Sequence, residues 1–363
     1  MPFDTVLGQE RAKQVLRRAI RANRIPHALL LTGPDGVGKA ALALALARAV
    51  NCAQRGEEPC DTCPACHRIQ GLTHPDVHVL FPAKRSRREA EDVDPEDERK
   101  FLAGLAQDPY RYPAVGPSET LLIDRVRRLE KDLRRGLYEG RCRVAILLET
   151  ERMRQETANA LLKTLEEPLP DTLLILVTSR PNALLPTIRS RCQQLRLRPL
   201  AEAEIRQALL RGAGPEGRIA LASGLCQGNL RRAHALMGQD VEDLRDQAYS
   251  FLNDGVFGAD TALVPFVERW SAGGDRKALD GLFDMVVTWL RDIVLFQEGA
   301  PHRILHTDRR QEVERLAASV NTEAVSRTLS EIERCRDMSR RNVNASLILI
   351  SLWRCLRRTS HAA

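Results

Sequence analysis

The stretch that decides the fold runs from residue 28 to residue 40 and reads ALLLTGPDGVGKA. Its first five residues, 28–32, have the length and the apolar character of a buried strand, and residues 40–50 form an Ala/Leu run of high helix propensity. Between them lies Gly33-Pro34-Asp35-Gly36-Val37-Gly38-Lys39, which has the spacing of a phosphate-binding loop. The stretch therefore predicts the strand, loop and helix of an α/β domain.

The residue types in this loop suit the binding of an anion. Gly33, Gly36 and Gly38 allow backbone N–H groups to close around phosphate oxygens, and the N-terminus of the following helix favours negative charge. Lys39 is placed to reach the outer phosphates. Ala40 departs from the motif, because a Ser or Thr there would supply the hydroxyl that ligates Mg²⁺. We expect a loop that holds phosphates but handles the metal poorly; a glycine-rich turn without a ligand is the alternative.

The sequence departs a second time from the pattern of an ATP-hydrolysing site, directly after the predicted strand at residues 144–148. This strand leads into Glu149 and Thr150, where hydrolysis needs an acidic pair to hold Mg²⁺ and polarise the attacking water. Glu149 is longer by a methylene group than the usual Asp, and the hydroxyl of Thr150 is no base at neutral pH. Together with Ala40, these changes predict that ATP is hydrolysed very slowly or not at all. Whether ATP binds is left open.

The order of the apolar segments predicts the wider architecture. Strand-like runs at 144–148 and 173–177 are separated by a helical segment, 155–167, which Pro168 stops. Such alternation is typical of a parallel sheet with crossover helices. After Pro199 the strand-like runs cease and helical patterns follow. The sequence thus predicts an α/β domain followed by helical domains.

One segment inside the α/β domain has a different composition. Residues 84–100 contain six basic and seven acidic residues and almost no apolar ones. Such a composition buries too little surface to offset the entropy of ordering the chain. We expect a flexible insertion over about 84–117.

Length and composition narrow the class of protein. The 363 residues suggest two or three domains, and 55 basic against 48 acidic side chains give a net charge of +7. The longest apolar runs fall short of a membrane span, and the first residues lack the basic and apolar pattern of a secretory leader. We expect a cytoplasmic protein with no membrane partner. The mild positive charge is compatible with nucleic acid nearby but does not demonstrate it.

Four of the nine cysteines lie in one short segment. Cys52, Cys60, Cys63 and Cys66 have the spacing Cx7CxxCxxC, and four thiolates suit one tetrahedral, structural Zn²⁺. Reduced free thiols are one alternative, and a zinc module that binds nucleic acid is another, although few basic or aromatic residues lie between these cysteines. Residues 63–67 also match the CxxCH haem-attachment pattern. Haem attachment requires export of the protein, and it leaves Cys52 and Cys60 without a role.

Two arginines lie in segments from which a side chain can contact the phosphates of a nucleotide. Arg191 lies in Ser190-Arg191-Cys192, after the last predicted strand, and Arg231 opens a helix in Gly228-Asn229-Leu230-Arg231-Arg232. In a ring of ATPase subunits, an arginine at a subunit edge stabilises transition-state charge in the neighbouring site. On chemistry alone, a solvated surface arginine is the more usual case for both.

Taken together, these segments resemble the clamp-loader subunits of bacterial DNA polymerase III, which belong to the AAA+ class. Within that family the chain is more similar to the delta-prime subunit than to the gamma/tau motor. Besides the phosphate loop and the cysteines, the resemblance rests on Phe3-Asp4 with residues 6–10, Pro26-His27-Ala28-Leu29-Leu30-Leu31-Thr32-Gly33-Pro34, Asn159-Ala160-Leu161-Leu162-Lys163-Thr164-Leu165-Glu166-Glu167-Pro168, Ser190-Arg191-Cys192 and Arg341-Asn342-Val343-Asn344.

The resemblance implies a domain organisation and a set of partners. It implies an AAA+ domain over 1–199 with a zinc module at 52–66, a small helical lid over 200–240 and a helical collar over 241–363. Through such collars, five subunits of this family form a gapped ring that includes gamma/tau and delta. The ring uses ATP to open the sliding clamp and place it on primed DNA, as part of the DNA-directed DNA polymerase holoenzyme.

The resemblance also implies roles for individual residues. Arg191 corresponds to the family's arginine finger, which acts in trans on a gamma/tau site, and Arg231 corresponds to the sensor arginine of the lid. The family's zinc ligands map to the four clustered cysteines, although the first gap between them is one residue shorter than usual. The insertion over 84–117 has no counterpart in the family pattern.

The departures from the motor pattern distinguish three hypotheses. Ala40, Glu149 and Thr150 favour a stator that supplies a finger and does not hydrolyse ATP. The alternatives are a gamma/tau-like motor in which Glu149 replaces the usual acid, and a zinc-dependent protein that binds nucleic acid alone.

Overall fold

The computed structural model describes residues 2–85, 93–113, 115–116, 118–212, 215–238, 241–273, 276–341 and 343–360. The chain divides into two compact units, one formed by residues 1–213 and 226–235 and the other by 214–225 and 236–363. The three-domain division with boundaries after residues 199 and 240 stays a prediction.

The first unit is built on one parallel sheet of five strands. These strands are β1 (Ala28–Thr32), β2 (Val77–Leu80), β3 (Arg143–Leu147), β4 (Thr172–Thr178) and β5 (Gln193–Arg196). Their order in the sheet is β2-β3-β4-β1-β5, and Leu30 of β1 lies opposite Leu176 of β4 and Gln194 of β5. The predicted parallel α/β sheet is therefore confirmed. The edge strands β2 and β5 were not predicted, because they are short and carry polar residues among the apolar ones.

Helices make up most of the remaining regular structure. They are α1 (Glu10–Arg21), α2 (Lys39–Asn51), α3 (Pro64–Gln70), α4 (Pro95–Gln107), α5 (Ile123–Leu133), α6 (Gln155–Glu166), α7 (Pro186–Arg191), α8 (Glu202–Leu210), α9 (Glu216–Leu225), α10 (Leu230–Met237), α11 (Val241–Phe257), α12 (Leu263–Gly273), α13 (Arg276–Gln297), α14 (Arg310–Ser319), α15 (Thr322–Arg340) and α16 (Ala345–Ser360).

Helices cover both faces of the sheet, which explains the unbroken apolar runs of the central strands. Side chains alternate between the two faces of a strand. On one face, alternate residues of the strands pack against α5, α6 and α7 through Val126, Leu161 and Ile188. Helix α2 lies against β1, β3 and β4 on the sheet, and most of its residues are buried.

The second unit is helical, as predicted for the region after residue 199. Within its described residues α11, α13, α14, α15 and α16 pack together, and no strand occurs. The Trp289 and His306 rings are stacked with centroids 4.0 Å apart. The buried carboxylate of Asp292 accepts hydrogen bonds from the backbone N–H of His306 and Leu305, both at 2.8 Å. Among the residues that the structure describes, no helix combines the length and apolar character of a membrane span.

The segment expected to be a flexible insertion contains an ordered helix, so that expectation is wrong for residues 93–113. Asp94 caps α4 by accepting a hydrogen bond from Glu96 N at 2.9 Å, and the acidic first turn suits the positive end of the helix. Phe101 is buried and its ring stacks on Phe81 at 3.7 Å. The charges that suggested disorder thus begin a helix, and its few apolar residues anchor it. Residues 86–92, 114 and 117 lie outside the described residues.

Candidate nucleotide site and metal centre

The phosphate loop connects β1 to α2 at the carboxyl edge of the sheet. Gly33, Gly36 and Gly38 have φ values of 152°, 67° and 95°, a region that glycine enters without a steric penalty. A Cβ atom at Gly36 would lie 1.8 Å from the Oδ1 atom of Asn229. The loop therefore needs glycine at position 36 because the chain before α10 approaches it closely.

The lysine of the loop is folded back onto the loop itself. Lys39 Nζ donates hydrogen bonds to the carbonyl oxygens of Gly33, at 2.8 Å, and Pro34, at 2.5 Å. A carboxylate oxygen of Asp35 lies 3.8 Å away. The side chain is only 7% exposed, and this burial lowers the pKa of the ammonium group.

Glu149 and Thr150 follow β3 and Leu148, and both side chains already have partners within the chain. Glu149 forms an ion pair of 2.8 Å with Arg152 Nε, and burial raises the pKa of its carboxyl group. Thr150 is fully buried, and its hydroxyl donates to the carbonyl oxygen of Val177 at 3.1 Å. Position 40 is occupied by the buried methyl group of Ala40. These positions therefore offer neither a free hydroxyl for Mg²⁺ nor an unpaired acid.

A further acid near the loop was missed by sequence reasoning, which stopped at Glu149 and Thr150. Glu151 accepts hydrogen bonds from the Ser179 hydroxyl, at 2.5 Å, and from Ser179 N, at 3.2 Å. Burial opposes ionisation of Glu151, but the hydrogen bonds outweigh it and hold the pKa below its ordinary value. The Glu151 charge also acts on Lys39, whose protonated form it favours. The signal available in the sequence was an acid two residues after Glu149.

The four clustered cysteines converge at the other end of α2. Cys52 follows the last residue of α2, and Cys63 caps α3. The four Sγ atoms all lie within 4.8 Å of one another. A sulfur set of this kind fits one metal ion with four thiolate ligands. The structure thus brings together all four cysteines selected from the sequence.

Hydrogen bonds to sulfur favour the thiolate form of Cys60, whereas burial raises the pKa of Cys52 and Cys66. Backbone N–H groups donate from Cys60 to Cys52 Sγ at 3.2 Å and from Cys63 to Cys60 Sγ at 3.3 Å. Hydrogen bonds from Thr62 lower the pKa of Cys60 to about 6. Thiolate is the form that ligates a metal.

The two candidate arginines have different surroundings. Arg191 ends α7; its side chain is 36% exposed and pairs with Glu166 of α6 at 2.7 Å. Arg231 lies beside the phosphate loop, with its guanidinium 4.0 Å from the ring centroid of Tyr112. Tyr110 and Tyr112 are both buried and belong to the segment after α4. Sequence reasoning assigned no role to these tyrosines, because their segment was expected to be flexible.

Comparisons with known proteins identify the family. A family model described as "DNA polymerase III, delta subunit" matches residues 8–201, and one described as "DNA polymerase III, delta subunit, C terminal" matches 270–355. The chain is 33% identical to DNA polymerase III subunit delta′ of Pseudomonas aeruginosa over 275 residues, which cover 75% of this chain and 72% of that protein. It belongs to the delta-prime family of DNA polymerase III clamp-loader subunits. The delta′ subunit of Bacillus subtilis is 26% identical over 345 residues, 93% of this chain and 92% of that protein.

This member of the delta-prime family is also similar to tau subunits. It is 29% identical to DNA polymerase III subunit tau of Bacillus subtilis over 275 residues, which cover 72% of this chain but only 40% of tau. The first family match includes the phosphate loop, the four cysteines and Arg191, whereas Arg231 lies between the two matched ranges.

Proposed function

We propose that this clamp-loader subunit is a stator, which does not hydrolyse ATP itself and supplies Arg191 as an arginine finger to a neighbouring gamma/tau site. In this proposal it assembles with gamma/tau and delta subunits into a hetero-pentamer that places the sliding clamp on primed DNA. The observation that carries the proposal is the state of the residues after β3. Thr150 and Glu149 are bound to Val177 and Arg152, and Ala40 offers no oxygen to a metal.

The placement of Arg191 supports the second half of the proposal. Its guanidinium is partly exposed at the end of α7, so a phosphate brought by another subunit can reach it. In this chain the guanidinium pairs with Glu166 at 2.7 Å and donates to the carbonyl oxygen of Thr187 at 3.1 Å. In this proposal a stronger anion, the phosphate, replaces the Glu166 carboxylate. Arg189 of the same helix donates instead to Asn182 at 3.1 Å.

We also propose that the cysteine cluster holds Zn²⁺ as a structural ion. Four sulfur ligands without an open position suit structural zinc. Bound there, the ion would tie the end of α2 to α3. It would leave the phosphate loop, at the opposite end of α2, untouched.

The test uses a loader reconstituted from this chain, gamma/tau and delta subunits, with clamp and primed DNA. An arginine finger is worth roughly 10³ to 10⁵ in rate at the site it serves. We expect Arg191→Ala to lower DNA-stimulated ATP hydrolysis strongly while the subunits still co-elute on size exclusion. Arg189→Ala is the matched control, and it should leave the rate unchanged.

Two results would contradict the proposal. Unchanged hydrolysis with Arg191→Ala would remove the finger assignment. Mg²⁺-dependent turnover by the purified chain alone would replace the stator with a motor.

A further inference from the structure

The segment that follows α4 lies against the phosphate loop. Residues 108–113, here called the tyrosine segment, begin with a turn in which Arg111 N donates to Asp108 O at 3.0 Å. Tyr110 and Tyr112 are 5% and 7% exposed. Both side chains therefore point into the first unit, away from solvent.

Tyr110 bridges the N-terminal segment and the start of α2. Its hydroxyl accepts a hydrogen bond from the backbone N–H of Leu7 at 2.8 Å. Its ring lies against the last glycine of the phosphate loop, because a Cβ atom at Gly38 would be only 2.8 Å from Tyr110 Cε1 and Oη. The ring thus occupies space directly beside the N-terminus of α2, where phosphate groups bind in loops of this type.

Tyr112 engages the arginine expected to contact a nucleotide. The Arg231 guanidinium lies over the Tyr112 ring at 4.0 Å, a cation–π contact, and its Nε donates to the carbonyl oxygen of Tyr110 at 3.5 Å. Asp35 of the phosphate loop and Glu149 add favourable charge around Arg231. The guanidinium is therefore satisfied by groups of this chain.

The lysine of the loop is satisfied in the same way. Lys39 Nζ is bound to the carbonyl oxygens of Gly33 and Pro34. The Asn229 side chain lies against Gly36, and Leu230 N donates to the Gly36 carbonyl at 3.1 Å. A nucleotide would have to break the two hydrogen bonds of Lys39 and displace a buried aromatic ring, each at a cost in free energy.

We propose that Tyr110 and Tyr112 act as an internal plug of the nucleotide site. In this arrangement the chain holds its phosphate loop and Arg231 in place with its own side chains, so that nucleotide binds only when the tyrosine segment withdraws. The inference deepens the proposed function, since it rests on the phosphate loop being the nucleotide site of this subunit. It does not depend on Arg191.

The test measures nucleotide binding by the purified full-length chain with a fluorescent methylanthraniloyl ATP as the probe. The variant is Tyr110→Ala with Tyr112→Ala, and its fold is checked by circular dichroism. We expect the double variant to bind the probe at least about tenfold more tightly than the wild type. Tyr138→Ala is the matched control, because Tyr138 is 86% exposed in another loop. Adding Lys39→Ala to the double variant should abolish the gain.

Equal affinity of the wild type and a folded double variant, or no binding by either, would overturn the plug. If the double variant does not fold, hydrogen exchange of the wild-type segment 108–113 at millimolar ATP decides. Increased exchange with bound ATP agrees with the plug, whereas bound ATP with unchanged exchange, or no binding of ATP, contradicts it. Hydrolysis by the opened variant would count against the stator proposal and not against the plug.

Discussion

The two ends of helix α2 carry the two candidate ligand sites, and they differ in what they offer a ligand. At the N-terminal end, the Lys39 side chain is bound to carbonyl oxygens of the phosphate loop, and the Tyr110 ring lies against Gly38. At the C-terminal end, Cys52 joins three further cysteines whose sulfur atoms converge within 4.8 Å. In the proposed plug the first site is closed by the protein itself, whereas the second brings four sulfur atoms together. A sequence close to a binding motif therefore does not by itself leave the side chains of that motif available to a ligand.

The two sites differ because their ligand-binding groups come from different distances along the chain. The four cysteines lie within fifteen residues, so local turns alone bring the sulfur atoms together. A working nucleotide site needs groups from several distant segments to be both present and free. Here Ala40, Glu149 and Thr150 have changed, and the tyrosine segment fills the adjacent space.

The largest effect is expected from removing one thiolate of the cysteine cluster at the C-terminal end of α2. We expect Cys60→Ser to lose the one equivalent of bound metal and at least about 3 kcal/mol of unfolding free energy, because metal binding is coupled to folding of such a module. Metal analysis and urea denaturation measure the two effects. Cys142→Ser, outside the cluster, should keep the metal. Wild-type protein purified without chelator and found free of metal would refute the structural ion.

A smaller effect is expected in the loop beside the cysteine end of α2. The Asp76 carboxylate accepts hydrogen bonds from the N–H groups of Tyr138, Glu139 and Gly140 at 2.7 to 2.9 Å. Burial opposes ionisation, but these hydrogen bonds outweigh it and hold the Asp76 pKa below its ordinary value.

Asp76→Asn should therefore cost about 1 to 3 kcal/mol of unfolding free energy at neutral pH. Because the folded-state pKa is depressed, the contribution of Asp76 is complete above the unfolded pKa of about 3.9 and is lost as pH falls through the folded value. Urea denaturation at neutral and acidic pH should show the difference between wild type and variant shrinking in acid. Glu314→Gln, at an exposed position in the middle of α14, is the control. A pH-independent difference for Asp76→Asn would rule out this electrostatic account.

The smallest effect is expected from removing the Tyr110 hydroxyl group beside the phosphate loop. Tyr110→Phe removes the acceptor for Leu7 N–H but keeps the ring against Gly38. We expect a loss of about 1 kcal/mol in unfolding free energy and no gain in affinity for the fluorescent nucleotide. Tyr138→Phe should change neither quantity. A gain in affinity with Tyr110→Phe would mean that the hydrogen bond, and not the ring, closes the site.

Much of the fold followed from patterns that are local in the chain. The strand over 28–32 was predicted with the bounds of β1, and the helix over 155–167 agrees with α6, because long apolar runs and a terminating proline act over a few residues. The edge strands β2 and β5 were missed. Their pairing depends on a neighbouring strand and leaves little trace in their own composition.

By itself the sequence determined the parallel α/β sheet and the helical second part, and it selected the four cysteines that converge. It also predicts the loss of ATP hydrolysis. Each of these inferences uses residues that are close together in the chain. Only the tertiary structure decided that α4 is ordered, that Glu151 lies beside the site and that Tyr110 and Tyr112 pack on the loop and on Arg231. The physical reason is burial. A charged segment is ordered when a few apolar side chains reach a core formed by distant residues, and that core is not encoded in the segment.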